Sequence, residues 1–483
     1  MLNRDNISAA YLPALLAASA GGYAWLLGLD AINGWRPVTQ FLCVMLVLFL
    51  LYSAAALVVS TARRSLWKWV AAGAVIFRLI LLPAGLPAHA SIGGKLQLLR
   101  QDLGGRAVAF ERFQLFDDDI WRYLWDGHVS AAGLNPYRLV PSDTALDRLA
   151  EGSDSPWSDI RDNVSYPAVS TVYPPLAQLV FRFSHRIAPG SVLAMKSLLT
   201  LFDLAAAGFV ALTLRATGAD PAWALLYAWN PLVIKVFAGS GHVDAVAVAG
   251  LSAMAYCLAK ALPTLAATCL GLAILAKISP LILVPFFWRR TGWRHGAIVL
   301  AVSLAGYLPF LDAGHLVFGG LTAFGREWQF NAGPYALFQW LAAFFTPHAA
   351  MVAKGLCGLL LAVILVYVWR RHPASATLAG EAAPALGWLV LLSPAAMPWY
   401  ATWALPFAVI AGQRVWMVWT CAVCMAFLVM IDGVERPLAL AAEYAGLSCV
   451  WLLDRKFTQR REREKAHSVD SFNAASRGRI SPG

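Results

Sequence analysis

The chain has 483 residues, of which 59% are hydrophobic and only 13% are charged, and its mean hydropathy is +0.61. Soluble domains carry about 25% charged residues, so this composition excludes a set of soluble domains. The formal net charge of +11 does not indicate nucleic-acid binding. The basic residues stand between apolar stretches, where they set the orientation of membrane spans.

The N-terminus resembles a signal peptide, with Arg4, an apolar run and then Ala18-Ser19-Ala20. Because the apolar run continues to Leu29, we expect an uncleaved first span. Further apolar stretches predict an all-α fold, a polytopic transmembrane bundle of about 12–14 spans. The candidate spans are roughly 9–29, 38–60, 66–84, 191–214, 221–239, 242–260, 262–276, 278–288, 295–312, 348–369, 383–396, 398–412, 414–431 and 437–453. Pro280 and Pro398 break two of them into short halves.

Basic residues mark one set of span ends. They are Arg4, Arg63, Arg64, Lys68, Arg215, Lys260, Arg289, Arg290, Arg294, Arg370, Arg371, Arg414, Arg455 and Lys456, against only Arg36, Arg326 and Arg436 at the other set. The positive-inside rule then predicts that both termini are cytoplasmic. It also predicts that residues 85–172 form a large extracytoplasmic loop that carries interfacial helices.

We divide the chain into three parts on this basis. Residues 1–65 form an N-terminal transmembrane hairpin, and 66–453 form the main membrane domain with its loop 85–172. Residues 454–483 are basic and polar without an apolar period, which predicts a disordered cytoplasmic tail on anionic lipid.

The segment FDDDIWRYLWDG, residues 116–127, is the most informative part of the loop. A helix there has two faces, one with Trp121, Leu124 and Trp125 and the other with Asp119, Tyr123 and Asp126. We expect this helix to lie in the membrane interface, with its aromatic face toward lipid and its carboxylates toward water.

Asp117, Asp118 and Asp119 have two interpretations. They can cap the helix and complement its dipole. Three carboxylates are more than a cap needs, and their mutual repulsion favours a raised pKa for one of them. A carboxylate of that kind beside Arg122 suits a general base.

Ionisable side chains within or beside apolar stretches are costly, so they are candidates for function. They are Arg78, Asp203, Lys235, Asp244, Lys277 and Lys354. Mutual pairing and snorkelling are the alternatives. Lys235 and Lys277 lie at predicted external ends, where they can bind a lipid phosphate. His242 with Asp244 can instead form a metal or acid–base pair.

The predicted second external loop, 312–333, combines charges with aromatic rings between Arg326 and Asn331. That mixture is typical both of a sugar site and of an ordinary interfacial loop. Arg326 and Glu327 are therefore candidates for binding a substrate.

The sequence predicts no dedicated metal site. Cys421 and Cys424 form a C-x-x-C inside an apolar stretch, without a histidine or second pair nearby. This favours packing over zinc or redox chemistry. The acidic loop can hold a divalent ion, so a metal is possible but is not expected to be required.

Seven segments carry a resemblance to a known family. They are RLILLPAG (78–85), DDDIWRYLWDGHVSAAGLNPYRLVP (117–141), TVYPPLAQLVF (171–181), WNPLVIKVFAGSGHVDA (229–245), LAILAKISPLILVP (272–285), REWQFN (326–331) and SPAAMPWYATWALPF (393–407). In order and spacing they resemble bacterial membrane glycosyltransferases with the GT-C fold. The closest resemblance is to the polyprenol-phosphate-mannose-dependent mannosyltransferase-like group.

The resemblance implies a site and a reaction. The family's acidic motif falls on Asp117–Asp119 and supplies the catalytic carboxylate, with Asp118 favoured. The donor is a polyprenyl-phosphate-linked hexose, with mannose expected, and the acceptor is a glycan or lipid outside the bacterial cytoplasmic membrane. The family's first span matches 66–84, so the hairpin 1–65 and an insert at 88–114 are additions without an assigned role.

A phosphate leaving group needs no strong acid, so one base and a few cations suffice, and direct displacement implies inversion. The candidate substrate-binding residues are Arg122, Tyr123, Asp126, Lys235, His242, Asp244, Lys277, Arg326, Glu327, Trp399 and Tyr400. No cofactor is expected. Two alternatives remain open at this point: a transporter or flippase of lipid-linked sugars, since broken helices with charges suit transport, and a non-catalytic protein that binds lipid-linked sugar.

Overall fold

The computed structural model describes residues 4–29, 35–110, 117–151, 156–373, 375, 377–431, 433–434, 436–450 and 452. This part of the chain is all-helical and has no β-strand, only an isolated bridge between Phe330 and Ala395. The predicted fold class is confirmed. The predicted tail, 454–483, lies outside the described residues.

The α-helices are α1 (Arg4–Leu26), α2 (Trp35–Thr61), α3 (Trp67–Leu81), α4 (Ile92–Leu103), α5 (Asp119–Ala131), α6 (Asp147–Ala150), α7 (Trp157–Asp162), α8 (Pro175–Ile187), α9 (Val192–Ala216), α10 (Leu225–Ala228), α11 (Pro231–Ile234), α12 (Asp244–Ala259), α13 (Pro263–Ala276), α14 (Val284–Thr291), α15 (Trp293–Tyr307), α16 (Gly319–Glu327), α17 (Gly333–Ala343), α18 (Ala349–Arg371), α19 (Ala379–Leu391), α20 (Leu405–Ala411), α21 (Arg414–Ala422) and α22 (Pro437–Val450). In the described ranges, six 3₁₀ segments and one π-turn connect them: Thr144–Leu146, Pro221–Ala224, Ser279–Leu283, Leu308–Phe318, Pro398–Trp403 and Val423–Ile431, with the π-turn at Lys235–Gly239.

Within the described residues, four helical stretches are long and apolar enough to cross a membrane: Arg36–Thr61, Val192–Ala216, Trp293–Glu327 and Ala349–Arg371. The pair Pro221–Ala228 and Pro231–Gly239, bent by 59°, makes a fifth if it is one span. Shorter apolar helices accompany them, α12, α13 and α19 among these. The chain is therefore a polytopic helical membrane protein, while the number of 12–14 crossings stays a prediction.

The N-terminal hairpin, α1 and α2, packs on the main bundle and shares its apolar core. The Tyr23 ring lies 5.0 Å from the Phe77 ring of α3. Tyr52 Oη donates to the carbonyl oxygen of Leu226 (2.9 Å). The hairpin thus covers α3 and the bent pair rather than standing apart from them.

A buried ion pair joins α3 to α9. Arg78 Nε donates to Asp203 Oδ2 (2.6 Å), and neither side chain has measurable exposure. Tyr227 Oη donates to the other carboxylate oxygen (2.8 Å), and Arg78 Nη1 donates to the carbonyl oxygens of Ala74 and Ala228. Mutual pairing therefore explains these two intramembrane charges, which were candidates for function in the sequence.

We expect Asp203→Ala to lower the free energy of unfolding by about 3–5 kcal/mol, because it leaves Arg78 buried without its counter-ion. Thermal unfolding of the purified protein in detergent measures the change. Asp312→Ala is the matched control, since the Arg138–Asp312 pair is more than half exposed and contributes about 0–1 kcal/mol. Equal transition temperatures for the two variants would contradict the account.

The insert between α3 and α5 acquires a structural role. Asp102, near the end of α4, accepts from Ser191 Oγ (2.5 Å) and from the backbone amides of Val192 and Leu193 (3.0 and 2.9 Å). These amides are the unpaired donors at the start of α9, so the insert caps that helix. Phe110 also packs on Trp121, at 6.1 Å between ring centroids.

Helices α5 and α8 pack closely in the predicted external loop. A Cβ on Gly127 of α5 would lie 2.6 Å from the carbonyl oxygen of Phe181, which explains the glycine. The rings of Tyr123 and Phe181 stack at 4.6 Å. The second helix predicted after Tyr173-Pro174-Pro175 is confirmed as α8, with proline in its first turn.

The prediction that α5 turns its aromatic face toward lipid is wrong. Trp121, Leu124 and Trp125 are at most 6% exposed and belong to the protein core. The reason is that α7, α8 and the insert fold over α5, and Arg161 of α7 lies 5.5 Å over the Trp125 ring. The helix is held by protein on this face, which fixes its acidic end in place.

Candidate active site

A cavity of about 880 Å³ opens beside the N-terminal end of α5. Its lining comes from residues 117–122, 165–174, 277–282, 321–330 and 389–403, together with Phe427 and Val429. Carboxylates, cations, aromatic rings and an apolar wall therefore meet in one space. Such a concave and mostly apolar pocket with a few polar groups is typical of a ligand site.

The carboxylates of Asp117, Asp118 and Asp119 have different partners. Asp117 Oδ1 accepts the backbone amide of Asp119 (3.1 Å), which is a capping contact at the start of α5. Asp118 Oδ2 accepts from Ser165 Oγ (2.9 Å). Tyr123 Oη donates to Asp119 Oδ2 (3.5 Å). Asp117 thus satisfies the first backbone amide of α5, whereas the cap residue itself is Asp118, which makes no side-chain capping bond.

His242 lies between two of these carboxylates. Its Nδ1 is 3.6 Å from Asp119 Oδ2, and its Nε2 is 3.7 Å from Asp117 Oδ2. The ring is fully buried and stacks on Trp399, with 3.9 Å between ring centroids. Gly241, at φ +77°, lets the chain turn here, where a Cβ would lie 2.9 Å from Lys196 Cγ. Asp117, Asp119 and His242 also form a group able to hold a metal ion.

The two carboxyls beside His242 titrate differently. Burial raises the pKa of Asp117 above its usual value, against the opposing charge of His242. Burial acts on Asp119 in the same sense, but the neighbouring His242 ring, 3.6 Å away, and the charge of Lys277 lower its pKa overall. Asp119 is therefore the more readily ionised of the pair.

Lys277 lies on the same cavity, where α13 ends. Its Nζ is 3.4 Å from Asp244 Oδ2 and lies 4.9 Å from the centroid of the Tyr400 ring, with Tyr173 and Trp403 also within 6 Å. Trp403 Nε1 donates to Asp244 Oδ1 (2.7 Å) and so fixes the carboxylate. The predicted break at Pro280 is confirmed, since a 3₁₀ turn follows Lys277.

Other predicted residues are buried outside the cavity lining. Lys235 donates to Ser240 Oγ (2.9 Å) and lies over the Phe427 ring. Asp126 accepts from Arg122 Nε (2.8 Å) and from Gln178 Nε2 (3.1 Å). Arg122 lines the cavity, and it also donates to the carbonyl oxygen of Val169, so it holds the segment around Val169 against α5.

The structure sorts the predicted site residues into three groups. Asp117, Asp118, Asp119, Arg122, Lys277, Trp399 and Tyr400 line the cavity, while Tyr123, Asp126, Lys235, His242 and Asp244 are buried outside its lining. Arg326 and Glu327 are exposed on α16 outside the lining, although Trp328, Gln329 and Phe330 line it. His242 and Asp244 have different partners and do not pair with each other.

Sequence reasoning missed several cavity residues. Tyr173, Trp328 and Trp403 stand inside segments already quoted for the family resemblance, so their motifs gave a signal. Ser165 and Tyr166 follow a stretch without any distinguishing pattern, and only the fold brings them to Asp118.

Two family models match the chain. Residues 112–291 match the N-terminal domain of the alpha-(1->6)-mannopyranosyltransferase family (MptA_B), and residues 336–453 match the MptB C-terminal domain. Together they cover more than half of the chain.

The chain belongs to this mannosyltransferase family.

The mannosyltransferase cavity draws on both matched domains. The N-terminal domain contributes the carboxylates and Lys277, and the C-terminal domain contributes Trp399, Tyr400 and Trp403. Arg326 and Glu327 fall between the two matched regions. No curated protein sequence matched the chain significantly. The predicted glycosyltransferase class is confirmed, and the family narrows it to a mannosyltransferase.

We expect His242→Asn to move the acid limb of the mannosyltransferase pH–rate profile to higher pH. The substitution removes a group that lowers the pKa of Asp119, so this carboxyl is protonated at a higher pH. The profile of kcat/KM between acid and neutral pH measures the shift. His348→Asn, at an exposed position outside the cavity lining, is the control and should leave the limb in place. An unmoved limb in His242→Asn would show that His242 does not lower the pKa of the carboxyl that controls this limb.

Proposed function

We propose that this mannosyltransferase takes mannose from a polyprenyl phosphate and transfers it, with inversion, to a hydroxyl group at the extracytoplasmic face, with Asp119 as general base. The observation that carries the proposal is the cavity, which is lined by the Asp119 carboxylate, by Lys277 among three aromatic rings, and by an apolar wall. Each of the three matches one part of the reaction: the acceptor hydroxyl, the donor phosphate and the lipid chain.

Asp119 is the best placed base among the three aspartates. Its side chain is 36% exposed, against 16% for Asp117, and it lines the cavity. The raised pKa expected for one of the three aspartates belongs to Asp117, which is less exposed to the cavity, whereas the lowered pKa of Asp119 keeps this carboxylate ionised and able to accept a proton at neutral pH. Asp118, which the family resemblance favours, accepts a hydrogen bond from Ser165 and is the alternative.

Lys277 is suited to hold the donor phosphate. Its ammonium group reaches the cavity among three aromatic rings and has one carboxylate partner, Asp244, at 3.4 Å. A phosphate oxygen can bind the remaining N–H groups of this cation, since a lysine carries three donors. The positive charge stabilises the phosphate as negative charge develops on it.

The apolar part of the cavity suits a polyprenyl chain. Ile278, Leu281 and Ile282 follow Lys277 directly and line the cavity, and Leu389 and Val390 face it from α19. Leu281 is 52% exposed, so this wall continues onto the surface of the protein. A lipid chain can therefore lie in the cavity while its phosphate meets Lys277.

The reaction is a single displacement. The acceptor oxygen forms a bond to the anomeric carbon of mannose, and its proton passes to the Asp119 carboxylate. The bond from this carbon to the phosphate oxygen breaks, and polyprenyl phosphate leaves with the electron pair. One displacement inverts the anomeric carbon. The balance needs no cofactor.

The basic residues at the other end of α14 support an extracytoplasmic location for the cavity. The 3₁₀ turn and α14 lead from Lys277 to Arg289 and Arg290, which bind Glu381 of α19. Arg289 also donates to the carbonyl oxygens of Trp369 and His372 at the end of α18. This gathering of arginines supports a cytoplasmic side opposite the cavity, with the termini inside, in a bacterial cytoplasmic membrane.

Purified protein in liposomes tests the proposal against the transporter alternative. We expect labelled mannose to move to an acceptor from polyprenyl phosphate mannose and not from nucleotide-linked mannose. Counterflow of the lipid-linked sugar without a new glycosidic bond would instead support transport.

A further inference from the structure

Two aromatic rings on the cavity have no part in the reaction described so far. Tyr166 and Trp328 both line the cavity, and their ring centroids lie 4.5 Å apart with the planes at 60°. Tyr166 is 61% exposed. Phe324, one turn earlier on α16, packs against Trp328 at 5.4 Å and also lines the cavity.

The backbone holds Tyr166 in an unusual conformation. Its φ is +56°, a left-handed conformation that costs free energy in a residue other than glycine. The amide of Val169 donates to the Tyr166 carbonyl oxygen (3.0 Å), which closes a tight turn. This turn presents a large ring to the cavity instead of burying it.

The turn is connected directly to the carboxylates. Ser165, the preceding residue, donates to Asp118 Oδ2 (2.9 Å), and Asp119 follows in the chain. Arg122 donates to the carbonyl oxygen of Val169, at the other end of the turn (3.0 Å). The turn that carries Tyr166 is therefore held to Asp118 and Arg122, on the same chain segment as Asp119.

We propose that Tyr166 and Trp328 form the subsite that binds the acceptor sugar. This inference rests on the proposed function and assigns residues to its acceptor. The C–H face of a pyranose ring packs on an aromatic face, and its hydroxyl groups need polar neighbours. Ser165, Ser170 and Gln329 line the cavity at this place and supply such groups.

A lipid acceptor fits this position less well. Its chain needs a continuous apolar wall, and the wall after Lys277 is taken by the donor chain in the proposed function. The residues around Tyr166 offer hydroxyl and amide groups instead, as a sugar requires. The bound pyranose then directs one of its hydroxyl groups to Asp119.

Steady-state kinetics with a short α-(1->6)-linked mannooligosaccharide tests the subsite. We expect Trp328→Ala and Tyr166→Gly to raise KM for this acceptor by about tenfold, as loss of one aromatic contact predicts. The KM for polyprenyl phosphate mannose should stay unchanged. Glycine is chosen at position 166 because it adopts the left-handed conformation without strain.

Matched variants separate ring loss from damage to the fold. Trp328→Phe and Tyr166→Phe keep a ring and should retain most of the acceptor affinity. Trp340→Ala removes an equally large ring that is 60% exposed but lies outside the cavity lining, and it should change neither KM. Thermal unfolding of each variant should match that of the parent protein.

Binding of the same oligosaccharide to Asp119→Asn, measured by calorimetry without donor, distinguishes the two proposals. Binding that weakens about tenfold in the additional Trp328→Ala variant supports the subsite, whichever donor the enzyme uses. An unchanged acceptor KM and unchanged binding in both ring-deleted variants would overturn the subsite while leaving the proposed reaction intact. Transfer by the parent protein only to lipid or peptide hydroxyls would also overturn it.

Discussion

Asp119→Asn is expected to lower kcat for mannosyl transfer by about 10²–10⁴-fold, the range that general bases contribute. Asparagine keeps the size of the side chain and can still accept from Tyr123 Oη, but it cannot take the proton of the acceptor hydroxyl. The dissociation constant for the donor should change little, since the phosphate is assigned to Lys277. Single-turnover kinetics with labelled donor separates the two quantities.

Neighbouring aspartates provide the comparison. Asp147 lies in the same loop with its side chain 55% exposed and outside the cavity lining, so Asp147→Asn should leave kcat unchanged. Asp118→Asn keeps an oxygen that can accept from Ser165 Oγ and should cost less than Asp119→Asn. If Asp118→Asn abolished transfer while Asp119→Asn kept it, the base would be Asp118.

Lys277→Met is expected to lower kcat/KM for mannosyl transfer by about 10²-fold or more, the second large effect. The substitution removes the one cation within reach of both Asp244 and the cavity among the residues assigned to the site. Charge-assisted bonds to phosphate are about twice as strong as neutral ones, and this bond strengthens as the phosphate leaves. Lys277→Arg should recover part of the activity.

The loss of activity in Lys277→Met can come from a destabilised fold or from the missing contact with phosphate, and a second variant separates the two causes. Lys277→Met leaves Asp244 buried without its partner, which by itself destabilises the fold. The double variant Lys277→Met/Asp244→Asn removes this penalty, so stability should return and activity should not. Lys260→Met, at an exposed helix end, is the charge control. Recovery of activity in the double variant would contradict the role of Lys277.

Composition and local pattern determine much of this fold. A chain with 59% hydrophobic residues must satisfy its backbone hydrogen bonds within helices in a membrane, so the all-α class follows from the sequence. Pro280 marks the break after Lys277, and Pro175 marks the start of α8. The acidic run before an amphipathic helix identified the carboxylates.

Long-range packing determines the rest of the site. His242 stands 123 residues after Asp119, and no local pattern indicates that its ring lies between two carboxylates. The aromatic face of α5 was assigned to lipid because periodicity identifies an apolar face but not what covers it. Arg326 belongs to the charged and aromatic segment 326–331 that predicted a sugar site. The structure places Trp328, just after the end of α16, on the cavity and leaves Arg326 exposed.

The buried charged residues of this molecule form two groups, which differ in how completely protein partners neutralise them. Arg78 and Asp203 satisfy each other fully inside the bundle, which is the expected state of intramembrane ions without a further task. Asp119 and Lys277 keep part of their surface open to the cavity and are only partly matched by protein groups. This difference supports the proposal that Asp119 and Lys277 are the groups that meet a substrate.

A structure of Asp119→Asn with bound polyprenyl phosphate mannose tests the central claim most directly. The account predicts that a phosphate oxygen lies within hydrogen-bond distance of Lys277 Nζ, that the lipid chain follows Ile278 and Ile282, and that residue 119 faces the anomeric carbon. A phosphate bound away from Lys277, with the mannose outside the cavity, would contradict it.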